Sequence, residues 1–213
     1  MAADAVNLAI ALLHHPVYNK RREVVTTALT NLDLHDIARS SRTFGLERFY
    51  IVTPSAEQRN LAERITVHWQ KGWGADYNPD RREALSIVRI CTDLESAVND
   101  LQAAFAKPVK TIITGAAQRP DSITFPVFRQ MLSEAGQPHL LLLGTGWGLT
   151  DECFAAADHV LEPIAGAGSY NHLSVRSAAA IMLDRLLIPR CNQNEYYYLY
   201  NTKNSERSSC NRR

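Results

Sequence analysis

The sequence predicts an α/β domain with a mostly parallel sheet flanked by helices on both faces. Short apolar runs alternate along the chain with segments of helical period, and this alternation is typical of parallel sheets covered by helices. The 213 residues, 46% hydrophobic and 21% charged, can bury a sizeable core. No repeat or linker divides the body of the chain. We therefore expect one domain over residues 1–187 and a polar, basic, poorly ordered tail over residues 188–213.

Six apolar runs are predicted as strands because each is short and rich in aliphatic residues. They are Asn7–Leu13, Arg48–Val52, Ser86–Cys91, Val109–Thr114, His139–Gly144 and His159–Leu161.

Helical periods fill the segments between these runs. One face combines Leu34, Ile37, Ala38, Ser41 and Phe44, a second steps by four through Leu61, Ile65 and Trp69, and a third combines Leu94, Ala97, Val98, Leu101 and Phe105. Gly45 has the position of a helix stop and Asp93 that of an N-cap. An alanine-rich helix is predicted over Val175–Leu187.

Composition and charge exclude several classes of protein. The net charge of +1 is too small for a basic nucleic-acid-binding domain, so any RNA contact needs local basic patches. No apolar run reaches the length of a membrane span, and the N-terminus lacks the basic region of a signal peptide. The four cysteines show no metal-ligand spacing. The pair His14–His15 has no ligating partner nearby, so an ordinary hydrogen-bonding role at a strand end is expected for it instead of a metal site. We expect a cytoplasmic protein with reduced cysteines and no metal.

A glycine loop follows the predicted strand Leu140–Leu143 in the stretch LLLLGTGWGLTDE. Glycines at 144, 146 and 148 let the backbone approach a ligand, and ligands bind beyond the carboxyl ends of parallel strands. A plain turn before the helix opened by Asp151 and Glu152 is the alternative. The loop lacks the Gly-Lys-Ser/Thr of a P-loop, and its G-x-G-x-G spacing and late position do not fit a dinucleotide fold. A flavodoxin-like nucleotide-binding enzyme therefore fits the motif less well and is kept only as an alternative interpretation.

A second unusual segment is GAGSYNHLSVRSAAAIMLDRL, residues 166–186. Flexible glycines run into four polar side chains, Asn171, His172, Ser174 and Arg176, immediately before the alanine-rich helix. One capping residue would be enough to start a helix. The additional polar side chains indicate a ligand.

Three stretches together resemble the SPOUT RNA methyltransferases. GTGWGLTDE and LEPIAGAGSYNHLSVRSAAAIMLDRL resemble the last two motifs of that superfamily, and HDIARSSRTFGLERFYIV resembles the first motif of its SpoU branch. HHPVYNK and EVVTTALTNLDLHDIARS are typical of a bacterial subfamily of predicted S-adenosylmethionine (SAM)-dependent RNA methyltransferases. The resemblance covers Asn7 to Leu186.

The resemblance implies a SPOUT α/β fold with a deep C-terminal trefoil knot, in which the segment from Leu161 to Leu186 is threaded. It also implies SAM as the cofactor, bent against the knot loops and held largely by backbone groups. The implied binding residues form three groups: Gly144, Thr145 and Gly146; Leu161, Pro163 and Ile164; and Asn171, Leu173 and Ser174.

The resemblance further implies catalytic roles for Arg39, His172 and Ser174. Arginine stays charged, so Arg39 would orient groups or stabilise charge rather than act as a base. A surface ion pair with Asp36, three residues earlier on the same helix, is the alternative. His172 could take up a proton, or it could only cap or pack at the helix start.

The chain departs from the SpoU pattern at three positions. Asp33 stands where that pattern has an asparagine, His172 replaces another asparagine, and Arg176 replaces a small residue. The acceptor atom therefore stays open between a ribose 2′-hydroxyl and a base nitrogen.

The sequence thus predicts a SAM-dependent RNA methyltransferase that acts on tRNA or rRNA. The resemblance implies a homodimer through the knot helix Val175–Leu187, whose alanines at 178–180 permit close approach. A helix buried within one subunit is the alternative. A non-catalytic SPOUT-like module that binds SAM or RNA is the second functional reading.

Overall fold

The computed structural model of the protein describes residues 6–134, 136–168 and 170–188. The predicted tail lies outside the described residues except for Ile188. None of the described helices is both long and apolar enough to span a membrane.

The chain alternates strands and helices, as predicted. The strands are β1 (Leu8–Leu13), β2 (Val17–Tyr18), β3 (Val24–Val25), β4 (Phe49–Val52), β5 (Val88–Cys91), β6 (Lys110–Thr114), β7 (Ser122–Ile123), β8 (His139–Gly144) and β9 (His159–Leu161). The helices are α1 (Asn31–Thr43), α2 (Ala56–Lys71), α3 (Trp73–Tyr77), α4 (Pro79–Ser86), α5 (Leu94–Phe105), α6 (Phe125–Ser133), α7 (Asp151–Ala156) and α8 (Val175–Leu187).

Seven of the described strands form one sheet in the order β5-β4-β1-β8-β6-β9-β7. Every neighbouring pair in this sheet is parallel. The carboxyl ends of all its strands therefore lie along the same edge. β2 and β3 form a separate antiparallel hairpin that follows β1.

Helices cover both faces of the sheet, as alternate residues of β1 show. Leu8, Ile10 and Leu12 belong to a core shared with α1, α2, α4, α6 and α8. Ala9, Ala11 and Leu13 belong to a second core shared with α5 and α7. β1 is buried along its whole length because it contributes to both cores.

All six predicted strands are confirmed within two residues at each end. β2, β3 and β7 were not predicted because two residues are too short to show a period. The N-cap Asp93 is confirmed, and Gly45 follows α1 with a φ of 84°. Of the predicted face of α2, Ile65 and Trp69 pack against the core, whereas Leu61 is 43% exposed and the buried residues are Ala62 and Thr66. The deep knot stays a prediction.

Candidate functional site

Two of the three predicted binding groups flank the carboxyl end of β6. β6 lies between β8 and β9, with Ile113 opposite Leu142 and Thr114 opposite Leu161. Neighbouring strands lie about 4.8 Å apart, so the ends of β8 and β9 are separated by roughly 10 Å. The segments that start at Gly144 and Leu161 therefore border one gap above β6.

The third predicted group reaches the same place. The Asn171 side-chain amide donates to the backbone carbonyl of Ala116, two residues after β6, at 3.1 Å. Thr114 is 6% exposed, and its hydroxyl has no hydrogen-bond partner among the described residues. The three predicted groups thus lie around the carboxyl end of β6, where the buried Thr114 hydroxyl is satisfied by no described residue.

The segment after β6, Thr114–Ala116, is the part of the site that the sequence did not predict. The signal was available, because a glycine directly follows a predicted strand. The same rule that selected the loop after β8 applies to this one. A Cβ atom added at Gly115 would lie 3.2 Å from the Phe154 ring, so the backbone here passes close to α7.

The glycine loop after β8 is packed against the β2–β3 hairpin. The Trp147 amide donates to the Tyr18 carbonyl at 3.0 Å, and the Tyr18 amide donates to the Gly148 carbonyl at 2.9 Å. Gly146 has a φ of 59°, and a Cβ atom there would lie 3.1 Å from both the Tyr18 carbonyl oxygen and Thr27 Cγ2. Gly146 therefore serves the packing of the chain on itself.

A chain of hydrogen bonds continues from this loop into the protein. The Thr145 hydroxyl donates to the Leu13 carbonyl at 3.2 Å and also contacts the Thr27 hydroxyl. The Thr27 hydroxyl reaches the His14 carbonyl at 3.4 Å and lies 3.2 Å from His14 Nδ1, and the direction of this last hydrogen bond depends on the tautomer of the ring. His14 Nε2 is buried and without a partner among the described residues.

His14 is fully buried at the carboxyl end of β1. Burial lowers the pKa of its ring from the usual 6.5 to about 4, against a smaller opposing effect of the Asp33 carboxylate. The imidazole is therefore neutral at physiological pH. The hydrogen bonds of His14 to Thr27 agree with the predicted hydrogen-bonding role at the strand end, whereas the complete burial of the ring was not predicted.

A carboxylate closes the rim between the hairpin and the loop after β6. Asp151 pairs with Arg22 of the hairpin at 2.8 Å and with Arg119 at 2.9 Å. The hydrogen bond from Arg119, with support from Arg22, lowers the pKa of Asp151. The sequence predicted only that Asp151 would open a helix, and the structure adds that it joins two loops.

In the second predicted group, Leu161 and Ile164 are buried, and both side chains belong to the core. Only their backbone groups can face a ligand, and this agrees with the expected backbone-mediated binding. Pro163 between them is half-buried. Glu162 fixes the segment, since its amide donates to the Ile123 carbonyl at 2.9 Å and its carboxylate accepts from the Phe125 amide at 2.7 Å.

Ser174 is the N-cap of α8. Its hydroxyl accepts from the Ser177 amide at 3.3 Å and lies 2.8 Å from the Ser177 hydroxyl. His172 is therefore not the cap, whereas packing of its ring at the helix start, the other part of that alternative, is observed. His172 is exposed, with its ring edge-on to Tyr170 at a centroid distance of 5.2 Å. Leu173 is also exposed.

Two of the departures from the SpoU pattern meet in the structure. Arg176 on α8 lies 3.2 Å from the Asp33 carboxylate and 3.5 Å from the Asp36 carboxylate, both on α1. The Asp33 side chain is only 10% exposed, and its other oxygen accepts from the Thr30 hydroxyl at 2.6 Å. An aspartate in place of the asparagine and an arginine in place of the small residue thus compensate each other.

Arg39 lies on the side of α1 that faces α4. It is exposed on α1, about 9 Å along the helix axis from Asp33. No ion pair joins it to Asp36 in the described part of the chain, where Asp36 pairs with Arg176 instead. Arg39 lines a depression of about 360 Å³ between α1 and α4. The other lining residues are Arg42, Thr43, Asn78, Asp80, Arg81, Glu83 and Ala84.

Within residues 6–134, 136–168 and 170–188, no group of three or more His, Cys, Asp or Glu side chains could hold a metal ion. What the structure offers at the sheet edge is a set of backbone and hydroxyl groups. Such groups suit a ligand that carries no phosphates.

A family model described as SAM-dependent RNA methyltransferase matches residues 7–188. A tRNA (guanine-N(1)-)-methyltransferase of Oleidesulfovibrio alaskensis is 45% identical over 181 residues, which make up 85% of this chain and 42% of that protein. The chain thus spans less than half the length of this relative.

Two solved structures share the fold. A methylase family protein of Neisseria gonorrhoeae has a TM-score of 0.60 at 17% identity, over 89% of this chain and 86% of that one. The SpoU methyltransferase AviRb of Streptomyces viridochromogenes, in complex with the cofactor AdoMet, has a TM-score of 0.50 at 16% identity, over 87% and 58%. They confirm the predicted fold class, apart from the knot.

Proposed function

Because the chain belongs to the SAM-dependent RNA methyltransferase family, we propose that it transfers a methyl group from SAM to a tRNA or an rRNA. The observation that carries the proposal is the meeting of three segments above β6. The loop after β8, the segment after β9 and the residues before α8 meet at the carboxyl end of β6, where Thr114 has a buried hydroxyl without a hydrogen-bond partner among the described residues.

The residues around this gap fit SAM. Its adenosine and amino-acid parts need hydrogen-bond donors and acceptors, and Thr114, Thr145 and Asn171 supply side-chain groups there. Gly144 and Gly146, together with the backbone of Leu161, Pro163 and Ile164, would complete the walls, with Leu173 and Ser174 at the mouth. When bound, SAM supplies an activated methyl group.

Three side chains are proposed to act on the RNA acceptor. His172 takes the proton that the acceptor loses, since it is exposed and its ring is held against Tyr170. Ser174 places His172 by capping α8 two residues later. Arg39 orients the RNA or stabilises developing charge. The acceptor stays open between a ribose 2′-hydroxyl and a base nitrogen. The relative whose name specifies guanine N1 is more than twice as long as the matched region, so that name does not decide the acceptor of this chain.

We also propose that the protein works as a homodimer in the cytoplasm. Ala179, Met182 and Leu183 of α8 are buried within the chain itself, so they leave little apolar surface for a partner. Near the N-terminal ends of α1 and α8, however, Leu32 is 59% and Tyr170 78% exposed, and these residues support an interface there. Free thiols at the described cysteines, Cys91 and Cys153, support the cytoplasmic location.

Calorimetric titration with SAM, NAD and FMN tests the first step. We expect saturable binding of SAM only. Binding of NAD or FMN in place of SAM would contradict the proposal and favour a nucleotide-binding enzyme.

Methyl transfer is then measured with labelled SAM and total RNA from a strain that lacks the protein, and mass analysis of nucleosides identifies the acceptor. Arg39→Ala should lower the rate at least about 100-fold, whereas Arg64→Ala, also an exposed arginine, should leave it unchanged. SAM binding without any transfer would instead make the chain a non-catalytic module.

A further inference from the structure

Helix α3 presents its large residues outward and its small residues inward. Trp73 is 71% and Tyr77 70% exposed, whereas Gly74 and Ala75 are buried. Folding normally buries aromatic side chains, which contribute the most apolar area. Core packing therefore does not explain why two adjacent aromatic rings lie in solvent.

The two rings form one stacked pair. They stack on each other with centroids 4.6 Å apart and planes inclined by 20°. The helix beneath them is packed closely on α2, because a Cβ atom added at Gly74 would lie 2.9 Å from the Trp69 ring. The Trp73–Tyr77 stack is thus held at a fixed place on the surface.

The same tryptophan, Trp69, connects the stack to the depression that holds Arg39. The Arg81 guanidinium lies 4.4 Å from the centre of the Trp69 ring and lines the depression. Its Nε is buried without a hydrogen-bond partner among the described residues. Asn78 directly follows Tyr77, caps α4 and lines the depression as well. The stack and the depression therefore form one continuous surface.

The charges in the depression leave arginines available for an anion. Arg42 is paired with Glu83 at 2.7 Å. No ion pair engages Arg39 or Arg81 in the part of the chain that the structure describes. Asp80 also lines the depression, and its negative charge disfavours a compact, highly charged anion. The surface therefore favours a ligand whose phosphates are singly charged and separated from one another.

We propose that the Trp73–Tyr77 stack and the adjoining depression bind unpaired nucleotides of the substrate RNA. A base stacks on the exposed aromatic surface, and a neighbouring phosphate meets Arg81 and Arg39. Unpaired bases stack on aromatic side chains and phosphates bind arginine, and this surface supplies both groups side by side. The proposal rests on the proposed function, and it adds that the RNA is recognised in a single-stranded segment.

The test measures fluorescence anisotropy of a labelled 12-nucleotide oligouridylate and of a duplex RNA of equal length. In Trp73→Ala/Tyr77→Ala the dissociation constant for the single strand should rise about 10-fold or more. Trp73→Phe/Tyr77→Phe keeps the stacking surface and should stay within about threefold of wild type. Val127→Ala removes an exposed apolar side chain on α6 and should bind like wild type.

Salt dependence tests the arginine part, since Arg81→Ala should reduce the slope of log affinity against log salt by about 0.7. Equal single-strand affinity in Trp73→Ala/Tyr77→Ala and Val127→Ala would overturn the proposal. If Trp73→Ala/Tyr77→Ala instead differs from wild type in self-association, measured by sedimentation, the stack binds a second copy of the chain and the proposal is overturned.

SAM titration separates the two proposals, because SAM affinity should stay unchanged in all these variants. Failure of the wild-type protein to bind SAM would refute the proposed methyl transfer but not the binding of RNA by the stack.

Discussion

Two glycine-rich segments border the candidate site, and they are built in opposite ways. In the loop after β8, Gly144 and Gly146 lie where an added Cβ atom would meet Leu149 Cγ at 2.7 Å and the Tyr18 carbonyl at 3.1 Å. In the segment before α8, nothing lies within 4 Å of a Cβ atom added at Gly168. The first segment is packed at Gly144 and Gly146 and opens only at Gly148, where nothing lies within 4 Å of an added Cβ atom. The second segment is open and carries the exposed Tyr170 and His172.

This difference separates two uses of glycine that look alike in a sequence. Around β8, glycine permits close packing, which positions Thr145 in advance of any ligand. Before α8, glycine leaves the backbone free; Asn171 attaches the segment to Ala116, and Arg176 in the first turn of α8 joins that helix to α1. We therefore expect the first segment to determine stability and the second to adapt to cofactor and RNA.

Acid should weaken the packed segment most, through His14. Its folded-state pKa of about 4 lies below the usual 6.5, so the unfolded chain binds more protons between these values. The stability that the neutral ring contributes is complete above pH 6.5 and is lost as the pH falls toward 4. We expect a loss on the order of 2–3 kcal/mol from pH 7 to pH 4.5 that His14→Asn does not show.

Urea unfolding followed by circular dichroism at both pH values measures this loss. His172→Asn makes the same chemical change in the open segment and should retain the wild-type pH dependence. An unchanged pH dependence in His14→Asn would contradict the buried role of His14.

Replacing one glycine by alanine in each of the two glycine segments should distinguish them directly. Gly146→Ala combines a left-handed backbone with close approach to the Tyr18 carbonyl, so we expect a loss of about 2 kcal/mol in the free energy of unfolding. Gly168→Ala should change it by less than about 1 kcal/mol in either direction. Equal losses in the two variants, measured by urea unfolding at pH 7, would show that both segments are packed alike.

The sequence predicted the sheet and the order of its elements because strand-length apolar runs and helical periods are local signals. β1, β8 and α8 were therefore placed within a residue of their observed bounds. The hairpin that covers the glycine loop was missed, and so was the reason for glycine at 146, because both depend on a contact between Tyr18 and Gly146 that is distant in sequence. The segment after β6 became visible only when the strand order placed it between the two predicted groups.

The smallest expected effect concerns the contact that holds the open segment to α1. Arg176→Ala leaves a nearly buried Asp33 carboxylate without its cation, and Asp33→Asn leaves a partly exposed guanidinium. We expect each change to cost roughly 1–2 kcal/mol of unfolding free energy. The double variant should lose less than the sum, with a coupling of about 1 kcal/mol, because it removes both charges together.

Asp36 provides the matched control for this cycle. Its carboxylate lies 3.5 Å from the same arginine but is 46% exposed, so solvent screens the pair. The coupling between Asp36→Asn and Arg176→Ala should stay below about 0.5 kcal/mol. If both carboxylates couple equally to Arg176, burial of Asp33 is not what holds α8 to α1. The ion pair that stands in place of the asparagine and the small residue of the SpoU pattern would then affect only the surface charge.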